Sequence, residues 1–258
     1  AENERSYPAQ MRQWVLMPGN SRVRYNTLLD DYARFETEAA ASRFNRYTDA
    51  ADKSVGIIAC GIAYNYLAEN YPGGCPHPVL KISQYPLPAS LVRRMASECG
   101  SLLIIEEGQP VVEQAVRGIL PAPLDIRGRM TGQLPRTGEL APDSVRAAVG
   151  LAPHATHAAS QIVVPRPPAL CQGCGHRDVY TALKEIADEY ENAKVFSDIG
   201  CYTLGWLAPF HAIDTCVDMG ASITMAKGAA DAGVYPSIAV IGDSTFTHSG
   251  MTGLLDAV

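Results

Sequence analysis

The chain predicts an α/β fold made of two successive parallel-sheet sections, and three observations predict it. Short apolar runs that end in glycine or proline alternate with amphipathic helical stretches, three times in the first half and again from Cys171 onward. The alternation stops once, over residues 121–170, where proline, glycine and alanine accumulate. A length of 258 residues suits one large domain or two modest ones. The organisation read from these is an α/β domain with a leading helical segment over residues 1–120, a linker over 121–170, and a second α/β domain over 171–258.

Taken in order, Met11 to about Thr48 reads as helix, because "RYNTLLDDYARFETEAAASRF" repeats Leu, Tyr and Phe at three- and four-residue spacing. "SVGIIACG" is a buried strand and "IAYNYLAENY" a helix; "HPVLKISQYPLP" is a second strand stopped by Pro86 and Pro88. "ASLVRRMASECG" reads as a helix capped by Ser90 and closed by Gly100, "SLLIIEEG" as a third strand, and "PVVEQAVRGIL" as a helix with proline at its start. In the second section "VYTALKEIADEY" is an amphipathic helix, "AKVFSDIGC" a strand, "SITMAKGAADAG" a glycine-bounded helix, "SIAVIGDS" a strand and "GMTGLLDAV" the start of another helix. The opening "AENERSYPAQ" reads as the continuation of something longer, and the last helix as one that runs on.

A net charge of −6, with no basic block, argues against a nucleic-acid partner. No apolar run approaches the roughly 20 residues that span a bilayer, and no signal peptide opens the chain. A cytoplasmic protein with reduced thiols is expected, so grouped cysteines read as metal-binding or redox groups rather than disulfides. Of seven cysteines, Cys60, Cys75 and Cys99 are scattered, while Cys171, Cys174, Cys201 and Cys216 fall close together.

Asp243 ends a strand in "VIGDSTFTHSG". In open α/β sheets ligands collect at the carboxyl ends of strands. Gly242 lets a ligand approach the backbone, and the helix starting near Gly250 can aim its amides at an anion. A carboxylate beside a phosphate needs a cation between them, and magnesium, which prefers oxygen ligands, fits best. An acid that caps a turn is the alternative. In "CQGCGH", Cys171 and Cys174 can hold one metal or one corner of a cluster, and Cys201 closes a strand at the same expected edge. Zinc would be satisfied by these three with His176 or Cys216; a [4Fe–4S] cluster would want four thiolates. An inert cysteine pair is the plainer reading. Gly220 and the small residues after it either let a helix pack close or present further amides to a phosphate. His77, His154, His157 and His211 have no spacing that pairs them.

In order and spacing, "CQGCGHR", "FSDIGCYTLG", "DTCVDMGASI" and "VIGDSTFTHSG" closely resemble the thiamine-diphosphate-binding region of the indolepyruvate ferredoxin oxidoreductase alpha-subunit family, among the 2-oxoacid:ferredoxin oxidoreductases. "KSVGIIACGIAYNYL", "PLPASLVRRMASECGSLLIIEEGQPVVEQAVRG" and "GRMTGQLPRTGEL" resemble that family's transketolase-C-terminal-like domain and the linker behind it. Nearly the whole chain is covered. The resemblance implies a transketolase-C-terminal-like parallel α/β domain followed by part of a doubly wound thiamine-diphosphate domain. It implies that Asp243 is a magnesium ligand, that Gly242, Ser244 and Thr245 help hold the diphosphate, and that Gly220, Ala221, Ser222, Cys201 and Tyr202 line the same pocket. Cys171, Cys174 and Cys201 would ligate a [4Fe–4S] cluster, with Cys216 as fourth ligand only if its loop folds back. Ser244 stands where the broader thiamine pattern has a second glycine. The downstream asparagine, the activating glutamate and the ferredoxin-like tail are expected outside this chain, which alone is expected to be inactive.

The implied activity is oxidative decarboxylation of an arylpyruvate to acyl-coenzyme A, with ferredoxin as electron acceptor and a smaller beta subunit as partner. The rivals are a non-redox thiamine decarboxylase or acetolactate-synthase-like enzyme, which has no cluster to ligate, and a structural chain whose CQGC segment holds zinc.

Overall fold

The computed structural model describes residues 14–120, 124–155, 158 and 160–258. It divides into two compact units, Ala1–His157 and Ala158–Val258. Among the described residues no helix is long and apolar enough to cross a membrane.

The first unit opens on α1 (Pro18–Ala41), shorter than the helix expected from the sequence. Met11 to Gln13, the expected start, lie outside the described residues. The stop after Ala41 has a physical cause in Asn45, which is buried. Its amide nitrogen donates to the carbonyls of Ala39 and Gln84 at 2.9 and 3.0 Å, and its Oδ1 accepts from the amides of Ser83 and Gln84 at 2.8 and 3.0 Å. A side chain that satisfies four backbone groups at once turns the chain out of the helix. The residues that follow form β1 (Arg46–Thr48), a strand where helix was expected.

Next come β2 (Gly56–Cys60), α2 (Ala63–Asn70), β3 (Val79–Ile82), α3 (Ala89–Glu98), β4 (Ser101–Ile105), α4 (Val111–Ile119), β5 (Asp125–Arg127) and α5 (Pro142–Ala148). The sheet order is β1-β3-β2-β4-β5, parallel except for β1, which runs antiparallel beside β3. Every residue of β2 and β4 is buried, as expected for strands covered on both faces. Successive residues therefore feed two cores. Ile58, Leu80, Ile82 and Ile104 pack with Val92, Met95 and Val116 on one face; Ile57, Ala59, Leu103 and Ile105 pack with Leu67, Leu134 and Val145 on the other. Ser90, the expected cap of α3, lies inside the helix, and Pro88 holds the cap position without a side-chain bond.

The stretch read as linker contributes to this unit. β5 pairs with β4, and α5 is tied to α2 because Asn70 donates to the Pro142 carbonyl at 2.7 Å. Glycine and proline density there marks turns between packed pieces, with Leu134, Leu140 and Val145 buried. Residues 121–123, 156–157 and 159 lie outside the described residues, and among the described ones from 149 to 169 there is no helix or strand.

The second unit contains α6 (Gly175–Ala187), β6 (Lys194–Ser197), a 3₁₀ turn (Cys201–Trp206), β7 (Thr215–Cys216), α7 (Ala221–Asp231), β8 (Ser237–Val240), α8 (Asp243–Thr245), a π-helical stretch (Phe246–Gly250) and α9 (Met251–Ala257). The strands are parallel in the order β7-β6-β8. α6 starts earlier than expected, with Cys174 at its cap position. Helical structure after β8 starts at Asp243 and not near Gly250.

Glu98 joins three pieces of the first unit. Its carboxylate accepts from Arg94 Nε at 2.7 Å within α3, from the Tyr47 hydroxyl at 2.6 Å on β1, and from Lys53 Nζ at 3.4 Å. These donors, Arg94 first, hold its pKa at about 2 against an ordinary 4.5. A carboxylate pKa depressed by folding adds stability that is complete above the unfolded value and is lost as pH falls through the folded one. Thermal melts from pH 5 down to pH 2 should therefore show a loss of stability that Glu98→Gln reduces; a variant with the wild-type slope would remove Glu98 from that account.

Candidate functional site at the carboxyl edge of the second sheet

β6 is the first strand of its sheet and lies in the middle, so the chain leaves it toward β7 on one side and β8 on the other. This divergence opens a crevice at the carboxyl ends of the strands. The three segments that follow the strands meet there. The Asp198 amide donates to the Val240 carbonyl at 3.2 Å, and Ile199 to the Asp218 carbonyl at 3.5 Å. Ser249 Oγ donates to the Met219 carbonyl at 3.0 Å. At Gly220, φ is +97°, and a Cβ would lie 2.3 Å from Ser249 Oγ. Glycine is required there on both counts.

Asp243 is exposed at the first helical position after β8, with Gly242 as cap residue. Ser244 is exposed beside it, whereas Thr245 is buried. Tyr202, half-buried in the 3₁₀ turn, lies between the two candidate chemistries. Burial pushes its phenol pKa up, and the neighbouring charges of Cys174 and Asp243 push it the same way. Its ring stands 4.1 Å from the His176 imidazole, centroid to centroid, and His176 Nδ1 lies 3.2 Å from Cys174 Sγ. The edge thus brings a thiol, an imidazole, a phenol and a carboxylate into one neighbourhood.

Gly173, at φ +73°, turns the chain between the two cysteines of the CQGC segment, and the Cys174 amide donates to the Cys171 carbonyl at 3.3 Å. Cys171 and Cys201 are exposed and Cys174 is half-buried. Cys201 sits at the start of the 3₁₀ turn, beyond the end of β6, where strand was expected. Among the described residues no three His, Cys, Asp or Glu side chains stand close enough together to hold one metal ion. The thiol chemistry suits zinc or an iron–sulfur cluster, but in this arrangement Cys171, Cys174 and Cys201 do not close a centre. Cys216 is held elsewhere, its Sγ 3.3 Å from Thr203 Oγ1.

Of the small residues expected along the pocket, Gly220 and Ala221 are half-buried and Ser222 is fully buried. The Ser222 amide is taken by Asp198 Oδ1 at 2.8 Å, so it is not free for a ligand. Sequence reasoning passed over Asp198, His176 as a neighbour of Tyr202, and Tyr180. A lone acid directly after a buried strand and before glycine was the available signal for Asp198. Tyr180 is fully buried and donates its hydroxyl to the Tyr202 carbonyl. His77 and His154 sit beside Asp52 and Asp143 in the first unit, and His157 lies outside the described residues.

The carboxyl edge of the first sheet has a cavity of about 460 Å³ lined by Cys60, Ser83, Tyr85 and Glu106 among others. Its helix terminus is occupied by the protein itself, because the Glu106 carboxylate accepts the amides of Val112 and Glu113 at 2.8 Å each. The candidate groups gather at the edge of the second sheet.

Fold and edge together define an open α/β chain of the kind that binds its ligand where parallel strands end. No family model matches the chain. By sequence it is related across nearly its whole length to the indolepyruvate oxidoreductase subunit IorA. The IorA subunit of Methanothermobacter thermautotrophicus is 36% identical over 260 residues, covering 95% of this chain and 42% of the relative. That of Archaeoglobus fulgidus is 36% identical over 258 residues (95% and 41%), and that of Pyrococcus abyssi 33% over 277 (95% and 42%). The chain spans about two fifths of the length of the curated relatives it matches. Among solved structures, a split-gene transketolase (inactive beta4 tetramer) matches 40% of this chain and 41% of its own at 24% identity and TM-score 0.31. A 2-oxoglutarate:ferredoxin oxidoreductase from Magnetococcus marinus matches 44% of this chain and 21% of its own at 12% identity and TM-score 0.30. Scores this low leave the fold to be described from its own strands and helices.

Gly205 makes room for the ring of Tyr180, whose hydroxyl donates to the Tyr202 carbonyl. A Cβ at this buried glycine would fall 2.2 to 2.7 Å from three atoms of the Tyr180 ring. Gly205→Ala should lower stability by about 1–3 kcal/mol, the range for overpacking, and disturb the tilted ring contact of His176 with Tyr202. A urea melt with an unchanged midpoint would contradict this.

Proposed function

We propose that this chain, working within a longer protein like its relatives, supplies the magnesium and diphosphate side of a thiamine diphosphate site. The enzyme would be a cytoplasmic oxidoreductase converting aryl-2-oxoacids of the indolepyruvate type to acyl-coenzyme A. Its electrons would pass through a [4Fe–4S] cluster to ferredoxin, with a second subunit completing it. The observation that carries this reading is the exposed Asp243 carboxylate at a strand end, within electrostatic reach of Tyr202, in a chain 36% identical to an IorA subunit.

Thiamine diphosphate, when bound, supplies the electron sink that lets carbon dioxide leave a 2-oxoacid. This chain's residues bind and orient. Asp243 offers an oxygen ligand to magnesium, and the helical start at Gly242, Asp243 and Ser244 directs amides toward an anion. Thr245, being buried, would act through the backbone. Gly220 and Ala221 would form the opposite lip, with Ser222 behind them; Cys201 and Tyr202 would stand at the entrance. Magnesium is needed because Asp243 and the exposed Asp218 make this edge acidic, and a diphosphate approaching it bare would be repelled. Cys171, Cys174 and Cys201 are the proposed cluster ligands, which requires the 171–174 and 200–202 segments to close on one another. The contact between Cys174 and His176 is the one observation that favours zinc in its place.

Two measurements test this reading. Anaerobically purified complete protein should contain about four iron atoms per cluster and reduce a dye in an indolepyruvate-dependent manner. Zinc without iron would favour the structural reading, and iron-free thiamine-dependent turnover the non-redox one. Asp243→Asn should weaken magnesium-dependent thiamine diphosphate binding by about tenfold or more, since an amide cannot offset the cation's charge. Unchanged affinity by calorimetry would remove Asp243 as a ligand.

A further inference from the structure

Asp198 is 1% exposed, yet it touches three of the segments that build the edge. Its amide donates to the Val240 carbonyl, three residues before Asp243. Its Oδ1 accepts the Ser222 amide at 2.8 Å in the first turn of α7. Its carbonyl accepts Thr203 Oγ1 at 3.3 Å from the turn that carries Cys201 and Tyr202. Thr203 Oγ1 also receives the Gly200 amide at 3.2 Å and lies 3.3 Å from Cys216 Sγ at the end of β7. Asp198 Oδ2 and Ser222 Oγ are buried without a hydrogen-bond partner. Buried polar atoms without a protein partner are uncommon, which singles out this pair within the fold. Asparagine would keep the acceptor for Ser222 and present a donor in place of Oδ2.

We propose that Asp198 is a positioning residue of the site. Through one buried side chain and its own peptide groups it holds the Asp243 segment, the first turn of α7 and the Cys201–Tyr202 turn at a fixed mutual spacing, so the groups that grip the ligand stay aligned before it arrives. Its Oδ1 acceptor carries the hold on α7 and its peptide groups carry the other two, and its charge is not needed. The proposal rests on the thiamine diphosphate reading for the identity of the ligand, and on geometry alone for the coupling of the three segments.

The test pairs hydrogen exchange of the ligand-free protein with cofactor titration of the complete enzyme. In Asp198→Ala, which removes Oδ1 but keeps the main-chain carbonyl that accepts from Thr203, exchange at the Ser222 amide and in the first turn of α7 should rise by about tenfold or more, and across residues 200–206 by less. The thiamine diphosphate concentration for half-maximal activity should rise by about tenfold while the saturated rate stays within about twofold. Asp198→Asn should return both to within about threefold of wild type. Asp198→Ala with both readouts unchanged overturns the proposal. So does Asp198→Asn failing as badly as alanine, because charge and not the acceptor would then be at work. Should Asp198→Ala not fold, Thr203→Val carries the test: exchange should rise across residues 200–206 and stay unchanged at Ser222, and no rise there is a refutation. A wild-type enzyme that binds no thiamine diphosphate, while exchange responds as stated, sinks the cofactor reading and leaves the positioning role supported.

Discussion

The candidate site depends on one constraint of sheet topology: β6 lies between β7 and β8. With the first strand in the middle, the next two must leave it on opposite sides, and their connections separate above its carboxyl end. The crevice follows from parallel pairing and needs no dedicated lining. Phe196 pairs with Thr215 on one side and Ala239 on the other, and Ser197 with Cys216 and Val240. These pairings deliver Asp198, Val217 and Ile241 to one level. Asp243 and the Cys201 turn are then only a few residues from that level, so their chemistry converges by chain length alone.

Much of this was legible because buried parallel strands leave a strong trace. "GIIAC" and "SLLII" are almost wholly apolar, since helices cover both faces, and their ends were read to within three residues. Asp243 drew attention as the first acid after an apolar run, although β8 is only partly buried. β1 was not. Arg46, Tyr47 and Thr48 continue the helical spacing of what precedes them, and only the side chain of Asn45, bonded across to Ser83 and Gln84, breaks it. A decision made by a partner about 40 residues away has no local signature. β5 was hidden similarly: "DIR" is too short to show a period and becomes a strand because β4 offers it an edge.

The cysteines show where sequence spacing stops being informative. The spacing of Cys171 and Cys174 fixes their separation along the chain, but their approach to Cys201 depends on two loops that no strand constrains. In the structure the half-buried Cys174 is engaged by His176, and the exposed Cys171 and Cys201 remain outward. Asp198 was missed for a different reason. An acid after a strand is common, and what distinguishes this one is the set of three backbone neighbours it meets, which only the fold supplies.

β1 and β5 have a consequence for how the molecule behaves in company. They are the outer strands of the first sheet, each three residues long. Arg46 and Asp125 are exposed on them, and Arg127 is half-buried. A longer bare edge beside β3 or β4 would present a row of unpaired peptide groups flanked by fully buried aliphatic strands, which is a template for another chain to add to. Short, charged borders leave too few free groups in line to seed such addition. The sheet with the most apolar sequence in the protein is thereby shielded from self-association at its flanks.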